Sequence, residues 1–459
     1  KNRYKIYDQS VANEIELFRK ENVAIKAEIA AESKKFSAMS GSLSVTIDGE
    51  ELTLQQASKY LFDLNRDKRK EAFEKSCEAR YEKNEEFDEL FNTLVQKRHQ
   101  VAKNAGFDNY RDYMFRALGR FDYSVSDVEV FHNSIRDQIL PVVEESNRVR
   151  KVKMGLDVLR PYDLNVDEDG KEALKPVENG EELIDKTIEC FRRIKPELGN
   201  YLQIMKDNKY LDLESRMGKA PGGYNYPLQE TGIPFIFMNA SGVFRDLVTM
   251  VHEGGHAIHS FVTRDLPYVI DKSTPSEVAE LASMSMELIS MEHWDVFFED
   301  EEDLRRAKYK QLSGVLDILP WIATISKFQH WIYVNPEHSV AERDEAWLRI
   351  YDEFSDKTVD WTGYEKYRTK WWQRQSHIFD VPFYYIEYAI AQLGSIAVYR
   401  NYKNDREKGL NNYLEALKLG YTKSVPEIYE SAGIKFDFGS EYISELAAFI
   451  QEESNKYKA

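Results

Sequence analysis

The chain has 459 residues, 42% of them hydrophobic and 31% charged, enough to bury a sizeable core and too many for one compact unit of ordinary size. Lys and Arg total 62 against 79 Asp and Glu, a formal charge of −17, so nucleic acid and anionic membranes drop out as general partners. Two cysteines, Cys77 and Cys190, are too few for a disulfide framework or a cysteine-rich zinc site and fit a reducing compartment such as the cytoplasm.

Lys1 opens a charged segment with no apolar signal stretch behind it, and no run of roughly 18 apolar residues follows anywhere in the chain. Through residue 210, apolar side chains recur at three- and four-residue spacing, as at Ile15, Leu17, Val23, Ile25 and Ile29, the pattern of amphipathic helices. SVTIDGEELTL interrupts them: it alternates around Asp48-Gly49 and predicts a hairpin, with Thr53 and Gln56 offering a capping box to the next helix. A nearly unbroken charged helix is predicted from Asp67 to Asn104, and another from Ser126 to Lys153 with a kink at Pro141. Leu156 to Gly180 mixes Pro, Gly, Asp and Asn and reads as a long linker. It suggests an N-terminal helical lobe with a short hairpin over 1–154 and a second region, holding the candidate chemistry, over 155–459.

Residues 215–242 are rich in Gly and Pro and change to strand and loop. Ile233 to Asn239 is predicted as an exposed edge strand to which an extended peptide can add. Gly218-Lys219-Ala220-Pro221-Gly222-Gly223 lacks the ending of a phosphate loop and reads as a mobile substrate-side loop bearing Tyr224. From Phe244 helical periodicity returns and persists to the end.

The segment Val251-His252-Glu253-Gly254-Gly255-His256 carries the chemistry. On a helix, His252 and His256 lie one turn apart on one face and can present two imidazole nitrogens to one zinc. Glu253, rotated by about 100°, can serve as general base toward a water on the metal. Two glycines inside a helix cost roughly 1 kcal/mol each, and a local rule broken beside candidate ligands points to function. A catalytic zinc takes a third protein ligand. Val262 stands where a metzincin would place a histidine, so the ligand is sought in DKSTPSEVAELASMSMELISMEHW, read as a helix capped by Ser273 or Thr274 ahead of Pro275. Spacing leaves its carboxylates Glu277, Glu280 and Glu287 open, Glu280 being preferred. Glu253-x-x-His256 with Glu129-x-x-His132 also matches a di-iron signature, a reading that leaves His252 unexplained. His99, His132, His293, His330 and His338 have no second histidine at ligand spacing and are taken as structural.

These residues, with His259, the GKAPGGYNYP and FIFMN pieces and the distal HIFDVPFYYIEYA, resemble the thimet oligopeptidase and oligoendopeptidase F group of zinc peptidases. The likeness is strongest from Gly218 to Gln392 and closest to the oligoendopeptidase F branch. It implies a mainly α, two-lobed helical zincin of the gluzincin type, with a small β-sheet near the active site and a deep substrate channel. It further implies one zinc per chain with Glu280 as third ligand, Glu287 orienting a ligand histidine, and cleavage of short peptides rather than folded proteins. The family's distal His and Tyr residues, which hold substrate and stabilise the transition state, correspond, in order of preference, to Tyr388, His377, Tyr385 and Tyr384. The segment lacks the thimet Gly-Tyr step after the histidine and spaces its tyrosines differently, so that Tyr384 and Tyr385 can each share a helix face with Tyr388. Gly222, Gly223, Tyr224, Phe237, Asn239 and Tyr384 are expected to contact substrate. The N-terminus looks shorter than in full-length relatives, which suggests a truncated or processed chain.

The expectation is thus a zinc endopeptidase acting on oligopeptides, as a monomer or a homo-oligomer. A dipeptidyl carboxypeptidase would need a cation for the substrate carboxylate, for which Arg374 or Lys370 is available. A non-catalytic peptide-binding protein would be expected to lose Glu253, which is present.

Overall fold

The structure is a computed structural model that describes residues 4–216, 219 and 222–458. Helices dominate, and the strands form two small sheets, a mainly α architecture as the zincin resemblance implies.

The hairpin forms where the sequence places it. β1 (Ser44–Ile47) and β2 (Glu50–Thr53) are antiparallel with Ile47 opposite Glu50. Asp48 at φ 54° and Gly49 at φ 83° both adopt the left-handed conformation of the tight turn that matches strand twist. Thr53 Oγ1 accepts from the Gln56 amide and Gln56 Oε1 from the Thr53 amide, completing the capping box.

Two long helices differ from expectation. Asp67 to Asn104 is split into Arg66–Tyr81 and Asn84–Asn104. The Lys83 amide bonds three residues back to the Arg80 carbonyl at 3.1 Å, and the Asn84 side chain takes up the freed Tyr81 carbonyl. Neither event disturbs the apolar period, so the break is silent in the sequence. Around Pro141, the helix Val125–Ser134 runs into a π turn at Ile135–Ile139 before resuming at Leu140–Lys153. The widened turn accommodates a residue that cannot donate to the helical ladder.

The stretch from Leu156 to Gly180 is largely irregular, as expected, but it is pinned. A short 3-10 turn, Pro161–Asp163, buries the Asp163 carboxylate completely, where it accepts from Arg66 at 2.8 Å and Arg69 at 2.9 Å. Contacts divide the chain into two compact units built from separate segments: Lys1–Val11, Ala173–Asp317 and Glu387–Ala459 form the first, Ala12–Glu172 and Ile318–Ile386 the second. This division differs from a single cut after residue 154, because linker composition reports connectivity and not which segments pack together.

The second unit is cored by aromatic rings, with Phe36 stacked on Phe379 at 4.2 Å and Trp372 packed on Phe91 at 4.9 Å. The wholly buried Arg98 donates to the Tyr333 hydroxyl at 2.8 Å and to the carbonyls of Ile378 and Phe379.

In the first unit, β3 (Leu211–Glu214), β4 (Tyr224–Tyr226) and β5 (Phe235–Ala240) make a sheet in the order β3-β5-β4. The predicted edge strand Ile233 to Asn239 is therefore the central strand: β5 pairs in parallel with β3 and antiparallel with β4. Its partners are only four and three residues long, too short to show an alternating pattern of their own. Beyond β5, Asp246 Oδ2 accepts from the amides of Ser241 at 2.7 Å and Val243 at 3.0 Å, anchoring the start of the helix Phe244–Thr263. The next long helix, Ser276–Ser290, starts without the expected Ser or Thr cap: Pro275 precedes it, and the Ser273 hydroxyl instead donates back to Val269.

Candidate active site

Gly254 and Gly255 let the Phe244–Thr263 helix approach its neighbours. A Cβ on Gly254 would stand 2.8 Å from the Phe191 ring, and one on Gly255 would stand 2.6 Å from the Cα of Ser283 and 2.7 Å from the Ala282 carbonyl. This contact brings the Ser276–Ser290 helix against the histidine face. Tyr413 and Tyr429 hold that helix from behind, their hydroxyls donating to the carbonyls of Ala282 at 2.7 Å and Glu277 at 3.0 Å.

The result is one cluster of possible metal ligands among the described residues: His252, His256 and Glu280, whose ligand atoms lie within 4.8 Å of one another. Glu280 Oε2 is 3.4 Å from His252 Nε2 and 3.7 Å from His256 Nε2. Two ligands on a tetrahedral zinc, each about 2.0–2.1 Å from it, stand roughly 3.4 Å apart, so the donor set and its spacing fit the ion. Glu277 is buried on the same helix but belongs to no such cluster.

Outer groups fix each of these three side chains. Glu287 Oε1 lies 2.7 Å from His252 Nδ1, and Gln311 Nε2 donates to Glu287 Oε2 at 2.8 Å. Ser283 donates to Glu280 Oε2 at 3.1 Å, and the Ala279 carbonyl bonds the His256 ring. Sequence reasoning missed Gln311, Ser283 and Ala279. Ser283 was discoverable as the residue one turn beyond Glu280; Gln311, on a distant helix, carried no signal.

Burial shapes the charges. It disfavours a charged His252 ring, yet Glu280 and Glu287 hold its pKa up, to about 10; His256, without so close a carboxylate, is pushed down by burial to about 4. Burial raises Glu253 to about 7, and a backbone hydrogen bond from Asn225 on β4 opposes the rise. Glu253 Oε2 is buried with no hydrogen-bond partner. Buried carboxylates gathered around two imidazoles are a setting that a divalent cation would neutralise. His259 stays outside the cluster: its ring bonds the Leu417 backbone, and burial lowers its pKa to about 4.

The residues of the first unit expected to contact substrate gather on the sheet. Asn239 Nδ2 donates to the Gly222 carbonyl at 2.9 Å, the Tyr224 and Phe237 rings stack at 5.0 Å, and Gly223 faces Phe237 and Thr249. Gly218, Ala220 and Pro221 of the same loop lie outside the described residues. Tyr388 also belongs to this unit, on the helix Ile386–Asn404. His377, Tyr384 and Tyr385 belong to the second unit, where the His377 ring lies 4.7 Å from Tyr385 and 6.3 Å from Tyr384, and His377 Nδ1 is 2.6 Å from Gln375 Nε2. The expected shared helix face of the tyrosines is absent: Tyr384 and Tyr385 occupy a turn ahead of the helix, entered through Phe383 at φ 69°.

Lys370 is engaged, its ammonium 2.7 Å from both Asp88 and Asp344, while Arg374 lies over the Trp371 ring. The di-iron pairing fails: Glu129 is exposed whereas His132 is buried with Nε2 2.9 Å from Ser326 Oγ, and neither joins a metal-ligating cluster among the described residues.

The pattern defining peptidase family M3 matches residues 60–448. Oligopeptidase PepF of Bacillus subtilis is 23% identical over 76% of the chain, and an oligoendopeptidase F homolog of Borreliella burgdorferi 25% identical over 81%. The chain spans 53% and 62% of the lengths of these two relatives. Among solved structures, PZ peptidase A with inhibitor 2 superposes with a TM-score of 0.92 at 28% identity, covering 98% of this chain and 80% of that one. Oligoendopeptidase-F from Enterococcus faecium shares the fold, with a TM-score of 0.69 at 18% identity over 99% of this chain and 77% of that one. By the extent of the family match and the agreement of these relatives, the chain belongs to peptidase family M3, on its oligoendopeptidase F branch.

Proposed function

We propose that the chain is a zinc-dependent endopeptidase that hydrolyses short, unstructured oligopeptides. The observation that carries the reading is the convergence of His252, His256 and Glu280 beside the partnerless Glu253 oxygen, in a member of family M3. The names of its relatives, oligopeptidase and oligoendopeptidase, agree with it.

His252, His256 and Glu280 would hold one zinc, which when bound supplies an electrophile for the scissile carbonyl and makes water more acidic. Glu253 accepts the proton of the attacking water and passes it to the leaving amine, a transfer that its buried carboxylate can make without competing solvent. Glu287, itself held by Gln311, keeps the His252 ring in one orientation and tautomer. An extended peptide pairs with the free edge of β4, where Tyr224 and Tyr226 are exposed, rather than with β5. Gly222, Gly223, Phe237 and Asn239 shape that edge, and His377, Tyr384, Tyr385 and Tyr388 contact the substrate. A tyrosine hydroxyl among them donates to the developing oxyanion.

The buried free cysteines and net negative charge accord with work in a reducing compartment on peptides rather than on nucleic acid. Among the described residues no helix is long and apolar enough to cross a membrane. The test is metal analysis of the purified chain combined with a ladder of unstructured peptides incubated beside a folded protein. About one zinc per chain and internal cuts in the peptides alone are expected. Digestion of the folded protein, or removal of terminal dipeptides only, would overturn the reading.

A further inference from the structure

The second unit contains a cavity of about 170 Å³ for which the chemistry above has no use. Its walls are largely apolar, with Leu61, Phe73 and Trp371 among them, yet both Arg80 and Arg374 open into it. Arg374 lies over the Trp371 ring at 4.4 Å, and Arg80 reaches only the Ser40 hydroxyl, at 3.5 Å. Among the described residues neither guanidinium has a carboxylate within ion-pair distance.

The nearby carboxylates are spoken for. Asp88 and Asp344 bind Lys370, Glu78 binds Lys366 and the Tyr367 hydroxyl, and Glu74 accepts from the Tyr364 hydroxyl. Burial, with repulsion from Arg374, pushes the Arg80 guanidinium down to about 10. Arg80 is half-buried and Arg374 stands exposed at the rim, so the recess carries two like charges without a carboxylate between them, a field that attracts an anion. A guanidinium presents a planar fork that matches a carboxylate, and apolar walls favour an anion borne on an apolar body.

We propose that this cavity binds a carboxylate carried on an aromatic or branched aliphatic group, with Arg80 and Arg374 taking its oxygens and the apolar wall taking its body. Such a group can come from a free organic acid or from a peptide. The peptide source rests on the functional reading above: Arg374 is three residues from His377 and close enough to Tyr385 for their charges to interact.

The experiment is calorimetric titration of the whole chain, carrying Glu253→Gln so that nothing is turned over, with 3-phenylpropionate and with its amide. The acid should bind at least tenfold more tightly than the amide, and the difference should shrink with added salt. Arg80→Gln and Arg374→Gln should each erase the preference while circular dichroism and thermal melting stay unchanged; Ser58→Ala, also on the cavity wall, should retain it. Equal affinity for acid and amide, or an intact preference in both arginine variants, would overturn the proposal. A pentapeptide ending in Phe as the free acid, compared with its amide, separates the sources. Displacement by the acid alone identifies the peptide, and displacement by neither identifies a free acid. A parent chain that binds the carboxylate but cleaves no peptide refutes the peptidase reading only; normal cleavage without carboxylate preference refutes only this one.

Discussion

Gly255 packs so closely on Ser283 that a Cβ would stand 2.6 Å from the serine Cα. The helix defect seen in the sequence is thus a packing requirement: a side chain here would force apart the helices that carry His252, His256 and Glu280. Gly255→Ala is expected to destabilise the chain by about 1–3 kcal/mol and to weaken zinc binding with it. Gly314→Ala, inside a helix with nothing within 4 Å of the new methyl, is expected to gain roughly 0.4–1 kcal/mol. Denaturant melts with parallel zinc titration measure both, and a neutral Gly255→Ala would contradict the packing account.

Glu280→Gln should lower zinc affinity sharply, whereas Glu277→Gln, outside the cluster, should not. Glu287→Gln keeps a hydrogen bond to His252 but loses the charge, and should reduce affinity about 10–100-fold. Competition with a chromogenic chelator ranks the three, and an unchanged affinity in Glu280→Gln would remove it from the ligand set.

Glu253→Gln preserves shape but cannot accept a proton, so zinc content and fold should survive while peptide turnover falls by at least about 100-fold. Single-turnover cleavage of an internally quenched peptide reads the loss directly. Comparable rates in parent and variant would exclude Glu253 as the base.

Acid stability should depend on Asp163. Burial opposes its ionisation, but the hydrogen bonds from Arg66 and Arg69 outweigh burial and hold its carboxyl below the usual range. A depressed folded-state pKa means that the stabilisation is fully present above the unfolded value near 3.9 and is lost as pH falls through the lower folded value. Asp163→Asn, which leaves the buried Arg69 unpaired, should cost about 3–5 kcal/mol at neutral pH and flatten the acid limb of a stability–pH curve. An unaltered acid limb in that variant would assign the transition to other carboxylates.

What could be read from the sequence depended on how local the cause was. The turn at Asp48-Gly49 and the spacing of His252 with His256 are set within a few residues, and both are visible in the text of the chain. The place of β5 in its sheet depends on β3 and β4, which are short strands remote from it, so an interior strand passed for an edge. The helix break before Asn84 and the turn at Phe383 arise from one side-chain cap and one left-handed residue, neither of which alters hydrophobic period. That a carboxylate on the Ser276–Ser290 helix should join the histidines was legible because a zinc site needs a third ligand, but spacing left Glu277, Glu280 and Glu287 open, and it is the fold that brings Glu280 to the two rings; Gln311 was not legible, because nothing about an isolated glutamine announces a carboxylate across the fold.

The two outer strands of the β3-β5-β4 sheet also bear on self-association. Unpaired strand edges are templates on which copies of a protein can polymerise. Here one edge is four residues long, carries Asp212 and Glu214 and is followed by Arg216, while the other is three residues long and is followed by Pro227, which has no amide to offer. Each is too short, too charged or too interrupted to seed a fibril, so the sheet can keep its edges without becoming a nucleus for aggregation.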